Sequence, residues 1–300
     1  MKLMKFSKIL ITLSIIAGIS YSCNRDETTT ATGAAAKQEM IQTESTSDFV
    51  TDDNSEVAMD FAGTFESTFN LRTTSGGQHP DYPCAIVTVA STKGTFPKTI
   101  TVDFGTGCKD KRGVTRKGKI IITVTNKHLV PSATITVVHD NFYVDGKKVE
   151  GEIKLSNITT DIAVPTFSKQ VTNGKITRED GSYFTFNSLR KRKMTQGVDT
   201  PKNVWDDVWE IFEGSQTVTK SNGNYLTSTI KTPLVKSNAC HFISKGSVTL
   251  KGTNIDGVLD FGNGDCDNLA TFTDANGNVT QITLTQITQL KFFEISLWGN

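Results

Sequence analysis

The segments Cys84-Ala85-Ile86-Val87-Thr88-Val89 and Thr99-Ile100-Thr101-Val102-Asp103-Phe104-Gly105-Thr106-Gly107-Cys108 decide the fold of this chain. Both alternate apolar and polar residues, which is the pattern of a half-buried β-strand. They flank the turn-like Lys93-Gly94-Thr95, and the two cysteines are equally distant from residue 96, beside that turn. Positions equidistant from a hairpin turn face each other. The sequence therefore predicts a β-hairpin whose open end is closed by a disulfide between Cys84 and Cys108.

A second segment, from Cys240 to Cys266, repeats this arrangement. Its apolar runs flank a turn cluster at 252–257, and the midpoint of its cysteines falls inside that cluster. Both segments carry Asp-Phe-Gly-x-Gly before the second cysteine, at 103–107 and at 260–264. Four cysteines allow three pairings, and this symmetry favours the two local ones. We predict an internal duplication with one disulfide-closed hairpin in each half.

The rest of the chain shows the same period of two. Asp145-Gly146, Asn222-Gly223 and Asn276-Gly277 each separate two extended runs and are typical of tight hairpin turns. The chain has 44 threonines, and a β-branched polar residue suits the wet face of a sheet. We predict a mainly β, antiparallel fold, either an extended twisted meander or a sandwich, built from two related halves at 77–172 and 173–300. A half-barrel that wraps a lipid chain is the third option.

The N-terminal residues predict export. Lysines at positions 2, 5 and 8 precede an apolar stretch at 9–19, the pattern of a signal peptide, which we place at 1–22. Ser20-Tyr21-Ser22-Cys23 resembles the lipobox of bacterial lipoproteins, and the resemblance implies cleavage before Cys23 and diacylation of its sulfur. The next residues, Asn24-Arg25-Asp26-Glu27, resemble an acidic signal for export to the cell surface. An ordinary cleaved secretory signal is the alternative.

Two segments separate Cys23 from the β region. Residues 23–54 contain Thr, Ala, Ser, Gln and acidic residues with almost no large apolar side chain, so they are predicted to form a disordered tether. Residues 55–76 are ambiguous, because Val57, Phe61 and Phe65 have helical spacing and also lie on alternate positions. We favour a short N-terminal helix there.

One stretch links the chain to a known group of proteins. Asp103-Phe104-Gly105-Thr106-Gly107-Cys108, followed by Lys117-Gly118-Lys119, resembles a segment of outer-membrane and surface lipoproteins of the Bacteroidota type. The resemblance extends over roughly residues 80–285. It implies a lipid-anchored protein of the outer membrane with a β fold, and it implies no activity.

Composition narrows the classes of function. With 32 basic and 31 acidic side chains, the net charge of +1 is too balanced for binding nucleic acid by bulk electrostatics. The histidines lie in no recognisable catalytic motif, and no Gly-x-Ser-x-Gly is present. We therefore expect no nucleic-acid partner, no enzymatic activity and no cofactor.

Two groups of residues are candidates for ligand binding. Trp205 and Trp209 would share one sheet face at a period of two, where an exposed aromatic pair can stack a sugar ring. The alternative is that this face belongs to the core. The run Arg190-Lys191-Arg192-Lys193 is a candidate for contact with lipid head groups, lipopolysaccharide or an acidic glycan. The usual explanation of such a run is a solvated loop or sheet edge.

One loop is rich in oxygen ligands. Asp260, Asp265 and Asp267 are candidate ligands for calcium. Their spacing is not that of an EF-hand, and a glycine-rich turn beside the disulfide explains them equally well. We therefore assign no metal.

Together these patterns predict a membrane-anchored, exported lipoprotein. Its β region is expected to be a non-catalytic binding or scaffold module at the cell envelope, with a glycan, an envelope polymer or an envelope protein as its partner. The alternative is a lipid or lipoprotein carrier with an apolar cavity in a half-barrel sheet.

Overall fold

One long helix and one large sheet make up the structure. The computed structural model describes residues 25–67, 81–91, 95–200 and 203–284. Helix α1 spans Arg25–Ser67, and a short 3-10 helix spans Val204–Asp206. The strands are β1 (Ile86–Ala90), β2 (Lys98–Asp103), β3 (Cys108–Lys109), β4 (Thr115–Val124), β5 (Thr134–Val144), β6 (Lys147–Asn157), β7 (Thr166–Thr177), β8 (Tyr183–Gln196), β9 (Val208–Lys220), β10 (Tyr225–Ser237), β11 (Lys245–Gly252), β12 (Ile255–Asn263), β13 (Leu269–Asp274) and β14 (Val279–Thr283).

All fourteen strands belong to one antiparallel sheet. Each strand pairs with its neighbour in the chain, except that β2 and the short β3 both pair with β4. This is the predicted extended meander, and the described strands do not form a sandwich because they lie in a single sheet. The sheet is open, with β1 and β14 as the edges among these strands. The three predicted turns join β5 to β6, β9 to β10 and β13 to β14.

Both disulfides form as predicted. Cys84 bonds to Cys108 and Cys240 bonds to Cys266. Each bond closes the open end of one hairpin, β1–β2 in the first copy and β11–β12 in the second. The local symmetry about each turn was therefore a sufficient guide to the pairing.

The two predicted halves share one sheet and one core. The boundary between residues 172 and 173 falls inside β7, at a bulge where its register against β8 shifts between Val171 and Gly174. One continuous cluster of buried apolar side chains runs from α1 to β14. The boundary therefore does not separate two folding units.

Helix α1 stands where the sequence predicts a disordered tether at 23–54. It is continuous over 43 residues and includes only the first part of the predicted helix at 55–76. From residue 46 to residue 62 every side chain is buried, and α1 contacts β4, β5, β6, β9 and β10 of the sheet. The tether prediction is wrong because it weighed apolar burial alone. The acidic side chains of this segment instead form ion pairs with cationic side chains of the sheet.

A series of contacts between aromatic rings joins the second half of α1 to the sheet. The ring of Phe61 lies 5.5 Å from that of Tyr82, which lies 6.2 Å from Phe104. Phe104 in turn lies 5.8 Å from Phe142 on β5. Offset or edge-on aromatic pairs at these separations add to the energy of burial. They hold the helix against the first strands of the sheet.

Several predicted features lie outside the described residues. They are the signal peptide at 1–22, the lipidation site Cys23, and the portion of the predicted helix after Ser67. Within the described ranges, no helix combines the length and the apolar character needed to span a membrane.

Candidate functional site

Acidic residues of α1 face cationic residues of the sheet. The guanidinium of Arg190 on β8 donates to Asp48 at 2.8 Å and to Glu44 at 3.1 Å. One turn further along α1, Asp52 pairs with Lys169 on β7. All these side chains are at least nine-tenths buried. A buried charge is tolerated only when paired in this way, so the ion pairs determine where the helix lies.

Asp53 continues the series toward the first strands. Its two carboxylate oxygens accept hydrogen bonds from Arg112 at 2.6 Å and from Arg116 at 2.5 Å. Arg116 also donates to Asp110 at 2.6 Å. Arg190, Arg112 and Arg116 are thus each shared between at least two acidic groups.

The basic run at 190–193 is divided between the two faces of β8. Arg190 and Arg192 are buried against α1, whereas Lys191 pairs with Glu213 and Lys193 pairs with Glu210 on β9. Successive strand residues point to opposite faces, so the four residues form no single basic patch. Two of them hold the helix, and the other two make half-exposed ion pairs across the strands.

Four carboxyl groups of α1 have shifted pKa values. Burial disfavours ionisation of Asp53, but Arg116 and Arg112 outweigh it and lower its pKa. Burial raises the pKa of Glu44 to about 7, with a further contribution from Asp48. Burial likewise raises the pKa of Glu56 to about 7, against the opposing effect of Lys236. Burial also disfavours ionisation of Asp52, but Lys169 and Lys236 outweigh it and lower that pKa to about 2. Among the carboxyl groups of α1 that face the sheet, Glu44 and Glu56 therefore titrate near neutral pH.

A cleft of about 320 Å³ lies where two distant parts of the chain meet. The indole Nε1 of Trp205 donates to Asp81 at 3.1 Å, and the guanidinium of Arg112 lies 4.3 Å from the centroid of the Trp205 ring. The lining is completed by Tyr82, Asp110, Lys111, Asn238, Ala239 and His241. This volume falls within the range of roughly 300–1,000 Å³ typical of ligand pockets. We refer to it as the Trp205 cleft.

An exposed ion pair lies at the rim of the Trp205 cleft. Lys111 Nζ is 3.2 Å from Asp81, and their side chains are 63% and 30% exposed. The pair offers an ammonium donor beside a carboxylate acceptor. A ligand group that both donates and accepts hydrogen bonds, such as a hydroxyl, matches this combination.

Asn238 and His241 supply polar groups to the inner wall. Asn238 donates through Nδ2 to the carbonyl of Val204 at 2.6 Å, but its buried Oδ1 has no hydrogen-bond partner among the described residues. Burial lowers the pKa of His241, and the nearby cations Arg112 and Lys236 lower it further. The imidazole is therefore neutral at pH 7.

The two candidate tryptophans are in different environments. Trp205 lies in the 3-10 helix and lines the cleft, whereas Trp209 on β9 is only 1% exposed. The Trp209 ring is 5.7 Å from Phe167 and lies under the guanidinium of Arg192 at 4.1 Å. The predicted shared face is therefore not present, because the 3-10 helix interrupts the strand alternation between the two residues. Trp209 belongs to the core.

The candidate calcium residues border a shallow cavity of about 110 Å³. Asp260 accepts from the backbone amide of Gly262 at 2.8 Å, and Asp267 accepts from that of Leu269 at 2.9 Å. Both carboxylates thus stabilise local turns. Within the described part of the chain, no three His, Cys, Asp or Glu side chains are grouped closely enough to hold a metal ion.

Sequence reasoning found one residue of the cleft, Trp205, and missed the others. Asp81 and Trp205 are 124 positions apart, and no periodicity predicts that they meet. Arg112 lies in a short connection between β3 and β4 that carries no motif. The signal that pointed to Trp205 was its residue type, since an exposed tryptophan can stack a sugar ring.

Comparison of the chain with protein-family models, with curated proteins and with solved structures found no match.

Proposed function

We propose that this protein is an exported lipoprotein, anchored to the outer membrane through acylated Cys23. Its β domain is a non-catalytic module that binds a glycan or another envelope polymer in the Trp205 cleft. The observation that carries this proposal is the cleft itself, which combines the indole ring of Trp205 with the exposed ion pair of Lys111 and Asp81.

The chemistry of the cleft suits a sugar ring. Aromatic rings bury the apolar faces of sugars, and the hydroxyl groups need donors and acceptors at the same time. Trp205 supplies the ring, while Lys111 and Asp81 supply the donor and the acceptor. Trp205 is held by its hydrogen bond to Asp81 and by Arg112, which pairs with Asp53 of α1, so the ring is positioned before a ligand arrives.

The lipid-carrier alternative receives less support. It requires an enclosed apolar cavity on the inner side of the sheet. In the described structure, α1 occupies that space and meets the sheet through charged side chains such as Asp48, Asp52 and Asp53.

A glycan array tests the proposed binding. We expect the wild-type chain to bind a restricted set of glycans, and Trp205→Ala to lose that binding. Tyr225→Ala is the matched control, because Tyr225 is an aromatic residue that is 49% exposed far from the cleft. Equal signals for all glycans, or equal loss in both variants, would contradict the proposal.

Membrane fractionation and mass spectrometry test the anchor. The wild-type protein is expected in the membrane fraction with fatty acid on its N-terminal cysteine, and Cys23→Ser is expected to lack that modification. An unmodified wild-type cysteine would favour the ordinary secretory signal instead.

A further inference from the structure

Glu56 lies directly behind the Trp205 cleft. Its carboxylate is 3.7 Å from Lys236 Nζ and 3.8 Å from Arg112 Nη1. Both separations exceed an ordinary hydrogen bond. A narrow crevice lined by Glu56 also includes Arg112, Asn238 and His241, which line the cleft as well. The carboxyl group is therefore buried, loosely held and close to the binding surface.

Arg112 connects Glu56 to the cleft. Its guanidinium donates to Asp53 at 2.6 Å, approaches Asp110 at 3.5 Å and Glu56 at 3.8 Å, and covers the Trp205 ring at 4.3 Å. The side chain is 24% exposed. A change of charge at Glu56 therefore changes the forces on the group that stacks on the indole.

We propose that the charge of Glu56 controls the position of Arg112 against Trp205 and makes the cleft sensitive to protons. When Glu56 is neutral, Arg112 loses one of its acidic partners and has more of its charge available to oxygen atoms of a ligand. The proposal deepens the proposed function, because it concerns regulation of the same cleft. It predicts tighter binding of oxygen-rich ligands as the pH falls.

The surroundings of Glu56 define the pH range in which this effect is seen. Its charged neighbours are Asp52 and Asp53 on α1, Lys236 on β10, Arg112, Arg192 on β8, and Asp207 after the 3-10 helix. Burial raises the pKa of Glu56 to about 7. Burial and the nearby cations Arg112 and Lys236 lower the pKa of His241, so its ring loses its charge at a lower pH than an ordinary histidine. The titration is therefore followed between about pH 6.5 and pH 8.5.

Fluorine NMR of the full-length chain labelled with fluorotryptophan tests the proposal without any ligand. The chain has three tryptophans, and Trp205→Phe identifies the Trp205 resonance. We expect this resonance to shift with a midpoint near neutral pH. Glu56→Gln is expected to abolish the shift. Failure to bind any glycan would leave this result unchanged, so the two proposals fail separately.

Two control variants make the test specific. Glu44 is also buried on α1 with a pKa of about 7, but it does not line the cleft, so Glu44→Gln is expected to retain the Trp205 shift. Asp207 has a pKa raised to about 7 by burial and by Asp206, and Asp207→Asn is also expected to retain the shift. Loss of the shift in either variant would assign the titration to another group and overturn the proposal.

A second test covers the case in which Glu56→Gln does not fold. Arg112→Lys keeps the positive charge and removes the planar group above the indole. We expect it to lose the pH-dependent shift of the Trp205 resonance. A wild-type resonance that does not move between about pH 6.5 and pH 8.5, or one that moves equally in Arg112→Lys, would refute the coupling.

Discussion

Asp53 on α1 and Arg116 on β4 form a hydrogen bond of 2.5 Å although 63 positions separate them in the chain. The side chains are 3% and 1% exposed. Arg116 reaches Asp110 with its other nitrogen, and its guanidinium also lies 5.4 Å from the Tyr82 ring. One arginine thus connects the helix, the strand after the first disulfide and the aromatic contacts of the core.

Loss of the Asp53 carboxylate is expected to be strongly destabilising. Asp53→Ala leaves Arg116 buried with one acidic partner fewer, and breaking a buried ion pair from one side costs about 3–5 kcal/mol. Urea denaturation followed by circular dichroism measures the effect. Asp256→Ala is the control, because Asp256 pairs with Lys251 on the surface, and its loss should change the unfolding free energy by less than about 1 kcal/mol. Equal effects would show that the helix is not held by its ion pairs.

The unfolding free energy is expected to fall as the pH rises toward 8. The folded-state pKa values of Glu44 and Glu56 are raised from 4.5 to about 7, so the folded protein binds protons more tightly than the unfolded chain. The stability gained from these protons is complete below the unfolded value of 4.5 and is lost as the pH rises through about 7. Thermal unfolding at a series of pH values tests this. The unfolding free energy should fall less steeply with pH in Glu44→Gln than in the wild type. A flat profile above pH 5 would contradict the prediction.

At low pH, protonation of Asp52 is expected to lower the unfolding free energy. Its pKa is lowered from 3.8 to about 2 by Lys169 and Lys236, so its contribution is present above 3.8 and is lost as the pH falls through about 2. Asp52→Asn is therefore expected to be less stable than the wild type at pH 5, with a difference that shrinks in strong acid. A difference that stays constant down to pH 2 would show that Asp52 contributes only through packing.

Trp205 and Trp209 are expected to differ sharply in their effect on stability. Trp209→Ala removes a ring that is 1% exposed and packed between Phe167 and Arg192, which should cost about 3–5 kcal/mol. Trp205→Ala should cost much less, because its ring is half-buried at the cleft. Chemical denaturation of both variants checks this order, and the reverse order would place the core elsewhere.

Reduction of the disulfides is expected to lower stability by a similar amount in each hairpin. The bonds join residues 24 and 26 positions apart, and closing loops of this length contributes about 3 kcal/mol in the chain-entropy model. The paired variants Cys84→Ala/Cys108→Ala and Cys240→Ala/Cys266→Ala measure each bond separately. A negligible effect in one pair would show that its hairpin needs no covalent closure.

Local patterns predicted the sheet and the disulfides well. The alternation in β4 and the turn at Asn222-Gly223 depend on near neighbours, and so does the symmetry of Cys84 and Cys108 about their turn. Such features are determined by residues close in sequence. The meander places consecutive strands side by side, so local patterns predicted its hairpins. They did not decide between a meander, a sandwich and a half-barrel.

The helix and the cleft were beyond this kind of prediction. Residues 23–54 contain mostly small, polar and acidic side chains with few large apolar groups, and a composition rule assigns such a segment to disorder. Its partners, Lys169 and Arg190, lie more than 100 positions away. Only the folded sheet brings these charges together, and the same holds for Asp81 and Trp205.

The position of α1 also constrains the order of assembly. Gln38 on α1 donates to the carbonyl of Thr283 on β14, 245 positions later in the chain, so α1 completes its contacts only when β14 is in place. Folds that depend on such distant contacts form slowly. The helix therefore cannot complete its contacts while the sheet is still incomplete, and it is expected to be among the last parts of the described structure to become fixed.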